Sequence, residues 1–139
     1  MHRRLNVAGF LPRAVKVVLE KKMSKQNPAY LVASSFMQEG HGSLEPYGRA
    51  VHPLLEKVGG ELLVAGAADQ FMDFYEGAWH EGARFTLFRF PSMEALRKFW
   101  YSPEYQKIKH LRTDVIPPNF TFAVEGFDPA EWEASHESE

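Results

Sequence analysis

Cysteine is absent from the 139 residues. Its absence excludes a disulfide framework, a thiol nucleophile and a thiolate metal site, and it is compatible with a reducing, cytoplasmic setting. No apolar run approaches the ~18 residues that a membrane span needs, so none is expected. Gly-rich phosphate loops, a Gly-x-Ser-x-Gly elbow and paired-carboxylate motifs are all missing, which removes the usual nucleotide-binding and hydrolase signatures. The six histidines (His2, His41, His52, His80, His110 and His136) include no i, i+4 pair. Neither a local metal site nor a haem ligand is signalled, and no metal or cofactor is expected.

What remains is a globular composition: 45% hydrophobic, 24% charged and 14% aromatic, enough for one domain and too apolar for a disordered chain. The net charge of −2 hides an asymmetry. Residues 1–28 carry seven Lys or Arg against the single acid Glu20, whereas the remainder is acidic. This leader has one short apolar stretch, broken by Lys16, and no small-residue cleavage site follows it, which argues against a secretory signal. A basic amphipathic helix is one reading. The other, which we favour, takes Met23 as the start and Met-Ser-Lys-Gln-Asn-Pro as a polar lead-in. Residues 128–139 read as a solvated acidic tail. The expected domain is therefore 29–127, and its acidic balance excludes a nucleic-acid partner.

Within it, Ala29–Met37 is a β-rich run, and Glu39–Ser43 reads as a loop. Leu44, Tyr47, Gly48, Val51, Leu54, Leu55 and Val58 then recur at helical spacing, with Ser43 as the expected N-cap and Gly59-Gly60 as the stop. Pro53 threatens a kink. Glu61–Gly66 predicts a second strand, Phe71–Tyr75 a short aromatic one, and Ala83–Phe90 a third major one. In that third strand Phe85, Leu87 and Arg89 share a face. Ser92 and Ser102 are expected to cap consecutive helices, the latter with Pro103 in its first turn, and Phe120–Glu125 is the last strand.

This order predicts an α+β ferredoxin-like βαββαβ sandwich, an antiparallel sheet with its helices on one face. The strands are apolar on both faces, however: Tyr30, Val32 and Phe36 oppose Leu31, Ala33 and Met37. The face without helices needs cover, and a second copy supplies it, so a homodimer closed through the sheet face is expected.

Phe90-Pro-Ser-Met-Glu-Ala, Trp100-Tyr-Ser-Pro-Glu-Tyr-Gln, Leu111-Arg112 and Val124-Glu125-Gly126 together resemble the domain of unknown function 1330 family, over about residues 29–126. Gly59-Gly60-Glu61-Leu62-Leu63 and Glu76-Gly77-Ala78-Trp79 fit the same pattern. The resemblance implies a dimeric α/β-barrel, in which two ferredoxin-like protomers close their sheets together, and it implies no reaction. Three departures stand out. Arg89 replaces the Glu that usually precedes Phe-Pro-Ser, Asp114-Val-Ile-Pro-Pro replaces small residues, and Asp69–Phe74 is expanded.

The candidate chemistry is sparse. His52, beside Val51 at the edge of the apolar stripe, and Tyr47 are the candidate proton-transfer groups, against a reading of His52 as an ordinary edge histidine. Arg89 and Arg112 are candidate anion clamps; for Arg89 the competing reading is a salt bridge to Glu76, Glu125 or Asp114. Trp79 and Tyr75 are candidate walls for a flat ligand or filler at the dimer interface, and Tyr105 is a candidate ligand contact that either packs or aims its hydroxyl into the cavity. The leading expectation is a small-molecule-binding barrel for an aromatic or carboxylate-bearing compound, with cofactor-independent oxygenation or isomerisation as its chemistry. The rival is a non-catalytic dimeric structural or stress-response module.

Overall fold

The computed structural model describes residues 12–14, 27–37, 42–127, 130 and 133–134. Its contacts separate two units: residues 28–125, and residues 1–27 together with 126–139. Met23, His41 and most of the basic leader and acidic tail lie outside the described residues.

Residues 28–125 carry strand β1 (Ala29–Phe36), helix α1 (Glu45–Val58), strands β2 (Glu61–Val64) and β3 (Ala83–Phe90), helices α2 (Met93–Trp100), α3 (Pro103–Ile108) and α4 (His110–Thr113), and strand β4 (Pro118–Glu125). The strands make one antiparallel sheet in the order β2-β3-β1-β4, so the architecture is mixed α+β. Among the described residues no helix is long and apolar enough to cross a membrane.

Local chemistry explains most boundaries. The Ser92 hydroxyl accepts the Ala95 N–H at 3.0 Å, and the Ser102 hydroxyl accepts that of Tyr105 at 3.1 Å. Both therefore cap their helices as expected. Helix α1 differs slightly: Leu44 holds the cap position, and Ser43 Oγ instead accepts the Glu45 N–H at 3.0 Å. Pro53 lies inside α1 on its exposed side, and the helix continues through it to Val58. On that side water can bond the Arg49 carbonyl, whose partner N–H the proline lacks. Gly59 ends the helix at φ +77°; a Cβ there would also sit 2.9 Å from Pro91 Cγ.

The helices bury one sheet face. Ala29, Leu31 and Phe90 pack against Val51, Leu55, Leu96, Phe99 and Tyr105. The opposite face follows from the register, since paired residues in an antiparallel ladder share a side. Tyr30, Val32 and Ser34 align with Arg89, Leu87 and Phe85 on β3, and with Val124, Phe122 and Phe120 on β4. This face is apolar at its centre, the described helices of residues 28–125 pack on the other face, and Phe122 and Val124 stand 49% and 46% exposed.

One expected strand is absent. Residues 71–75 form no strand, and the whole connection from 65 to 82 is irregular. The reason lies at the β3 edge. Beyond β2, the Phe85 backbone is bonded by a side chain: Gln70 Nε2 donates to its carbonyl at 2.7 Å, and Gln70 Oε1 accepts its N–H at 2.9 Å. That amide takes the place of a partner strand and leaves Phe71–Tyr75 with nothing to pair. Arg84 holds the same loop by donating to the Ala68 carbonyl at 3.1 Å.

Candidate functional site

Tyr47, Tyr105 and Arg112 come together from α1, α3 and α4. The apolar spacing of α1 turns Tyr47 inward, and the Ser102 cap sets Tyr105 in the first turn of α3, where it is 1% exposed. Its ring lies 4.5 Å from that of Phe99 and 5.2 Å from Trp100. The two phenol oxygens are 3.0 Å apart, and Arg112 Nη2 donates to the Tyr105 oxygen at 3.3 Å. The Arg112 guanidinium also lies 5.7 Å from the centre of the Tyr47 ring.

Burial first, and then the neighbouring Tyr105 hydroxyl, hold the Tyr47 phenol well above its ordinary pKa. Burial alone would lower that of Arg112, but the two phenols outweigh it and the guanidinium is pushed upward. Tyr47 thus keeps its proton, and Arg112 keeps its charge.

Arg112 also lines an open cleft of about 350 Å³ between α2, α4 and β4. Trp100 and Phe120 contribute aromatic walls, while Lys109, Thr113 and Asn119 add polar groups. The Lys109 ammonium lies 5.6 Å from the Trp100 ring, and Asn119 Nδ2 donates to the Ser34 hydroxyl at 3.2 Å. Among the described residues no carboxylate or imidazole lines the cleft. The arrangement offers two cations beside two flat apolar surfaces, the complement of an anion on an aromatic ring. Among the described residues, no three His, Asp or Glu side chains gather as a set that could hold a metal ion.

The other candidates lie elsewhere. His52 is on the solvent side of α1, 71% exposed and 2.8 Å from Glu56. Five residues advance a helix by about 500°, so His52 points roughly 140° away from Tyr47. Its expected place at the core edge is therefore corrected. Arg89 is exposed and pairs with Glu61 at 3.4 Å. The salt-bridge reading had the wrong partners, because β2 and β3 place Glu61 directly opposite Arg89. Trp79 packs edge-on against Phe120 at 6.2 Å and touches Phe74, so it sits on the sheet face without helices. Lys109, Asn119 and the Trp100–Phe120 walls were not foreseen. The Trp100-Tyr-Ser-Pro motif offered a signal for the first wall, and no local pattern marks Asn119.

A family model described as a domain of unknown function (DUF1330) matches residues 28–127. The chain belongs to that family. In this DUF1330 member the match covers the whole sheet and every residue of the cleft. Among solved structures, it is similar to RPA0582, a protein of unknown function from Rhodopseudomonas palustris. Identity there is 14%, over 82% of this chain and 94% of that one, with a TM-score of 0.49. The methylated RPA0582 protein gives 15% identity, 82% and 92% coverage and a TM-score of 0.51. At such identity the likeness to the methylated form speaks for the fold alone. No curated protein matches the chain.

Proposed function

We propose that this DUF1330 protein is a homodimeric, ferredoxin-like small-molecule binder that takes an aromatic carboxylate in the cleft at Trp100, Lys109, Arg112, Asn119 and Phe120. The observation that carries this reading is the pairing of Lys109 and Arg112 with two aromatic walls and no lining carboxylate. Two cations with no ion pair among the described residues, beside an apolar wall, favour an anionic guest that supplies the missing charge. Tyr105 positions Arg112 through its 3.3 Å hydrogen bond.

The strand order β2-β3-β1-β4 with helices on one face supports the ferredoxin-like assignment. The half-exposed Phe122 and Val124 on the other face support a second copy as its cover, and with it the dimeric α/β-barrel reading. Binding rather than turnover is the reading we favour. Cofactor-independent isomerisation or oxygenation begins with proton abstraction, and among the described residues no carboxylate or imidazole lines the cleft, while Tyr47 holds its proton and His52 faces solvent. A cytoplasmic location accords with the lack of cysteine.

Thermal unfolding with benzoate, and with benzamide as the uncharged isostere, tests the cleft. Benzoate raises the melting temperature, benzamide does not, and the Lys109→Met/Arg112→Met pair abolishes the effect. If no aromatic carboxylate shifts the wild-type protein, the purely structural dimer module is the better account. Light scattering at micromolar concentration tests the dimer, and a monomer there rejects it.

A further inference from the structure

We propose that residues 71–76 of one copy form an arm that docks into a groove beside α2 of a second copy, each copy of the dimer giving one arm and receiving one. This rests on the homodimer proposed above and adds to it the element that fastens the two copies. The arm is tied at its root by Gln70, through the Phe85 backbone, and at its far end by Trp79 against Phe120. Between those ties Phe71 is 89% exposed, Tyr75 86% and Phe74 49%. Three large rings within five residues, held in water on an anchored loop, form an apolar patch that calls for a partner.

The partner's chemistry is specified by charge. From 65 to 82 the sequence has Asp69, Asp73, Glu76 and Glu81 and no Lys or Arg. The matching surface is a groove of about 340 Å³ lined by Leu31, Met93, Leu96, Phe122, Arg97 and Tyr101, with no carboxylate among the described residues that line it. Arg97 has no ion-pair partner among the described residues. An acidic aromatic segment and an apolar groove with a free guanidinium complement each other.

The two surfaces also belong to one apolar tract. Ring contacts of 6.0 Å from Phe74 to Trp79, 6.2 Å from Trp79 to Phe120 and 5.8 Å from Phe120 to Phe122 run from the arm along the edge strand β4 to the groove. A two-fold axis through that face makes the arm-to-groove contact twice, and the assembly closes without leaving an arm over.

The chain has no native cysteine, so a Phe71→Cys/Tyr101→Cys variant reads the contact directly. Both positions are exposed, Tyr101 by 72%, and neither substitution threatens the core. Under mild oxidation the expected product is a covalent dimer that neither single variant forms. In sedimentation experiments Arg97→Glu weakens the dimer by about tenfold, and adding Asp73→Lys restores it. An intramolecular disulfide, no disulfide, or a dimer indifferent to Arg97→Glu overturns the arm while leaving the face-to-face dimer standing. Weakening without rescue overturns the groove as the acceptor. A monomeric wild-type protein overturns both.

Discussion

Replacing Tyr47 by phenylalanine removes one oxygen from the Arg112–Tyr105–Tyr47 chain and keeps the ring that meets Tyr105 edge-on at 6.4 Å. At neutral pH the loss is one hydrogen bond between uncharged groups, about 0.5–1.5 kcal/mol. Tyr105 keeps its bond from Arg112, so no buried polar atom is stranded. The informative range is alkaline. The folded state holds the Tyr47 proton more tightly than the unfolded chain does, because ionisation is opposed first by burial and then by Tyr105. Below the unfolded pKa, about 10, both states are protonated and this contribution is fully present. Above it the unfolded state sheds the proton that the folded state retains. Stability then falls with rising pH, by at most ~1.4 kcal/mol per unit. The figure is an upper bound, since Tyr47 is only partly buried. The phenylalanine side chain cannot titrate, so the variant lacks this loss. Urea unfolding followed by circular dichroism at pH 8, 9, 10 and 11 should show wild type ahead by about 1 kcal/mol at pH 8, with the gap shrinking above pH 10. A gap that stays constant to pH 11 refutes the assignment of Tyr47 as a phenol held in its protonated form.

Two further outcomes test the packing and the discarded base. Phe90 is fully buried, and its ring lies 5.6 Å from that of Phe99, so Phe90→Ala should cost about 3–5 kcal/mol in urea unfolding. A loss below about 1 kcal/mol would show that the sheet and helices are not joined there. His52→Ala should leave benzoate binding unchanged and stability within about 0.5 kcal/mol, because the Glu56 pair is exposed. A tenfold fall in affinity by calorimetry would return His52 to the site.

The parts of the fold legible in the sequence are those whose burial repeats with a regular period. The i, i+3, i+4 stripe of α1, the Ser92 and Ser102 caps and the alternation of β3 locate their elements within a residue or two. The same logic gives the sheet two apolar faces, and the described helices of residues 28–125 pack on one of them. Tyr47 and Tyr105 were each recognisable, one from the stripe and one from the motif. Their hydroxyls, however, meet across 58 residues of chain, a distance no local pattern spans.

The misreadings share one physical cause: propensity and spacing describe a residue, whereas partnership belongs to the assembled sheet. Phe-Met-Asp-Phe-Tyr has the composition of a strand, but a strand exists only if an edge accepts it. Here the Gln70 amide occupies the edge of β3 beyond β2, so the aromatic run is displaced into solvent. Arg89 went to Glu61 for the same reason, since the β2–β3 register puts them opposite each other. Both outcomes bear on function. Arg89 is engaged by Glu61 at the surface, and of the displaced aromatics Phe71 and Tyr75 become the most exposed rings of the sheet unit. Arg97 beside the α2 groove and Lys109 and Arg112 in the adjoining cleft have no ion-pair partner among the described residues, and Trp100 lines both places. A ligand or an arm at either place therefore acts on the same indole, and benzoate binding and dimer strength should be coupled through it.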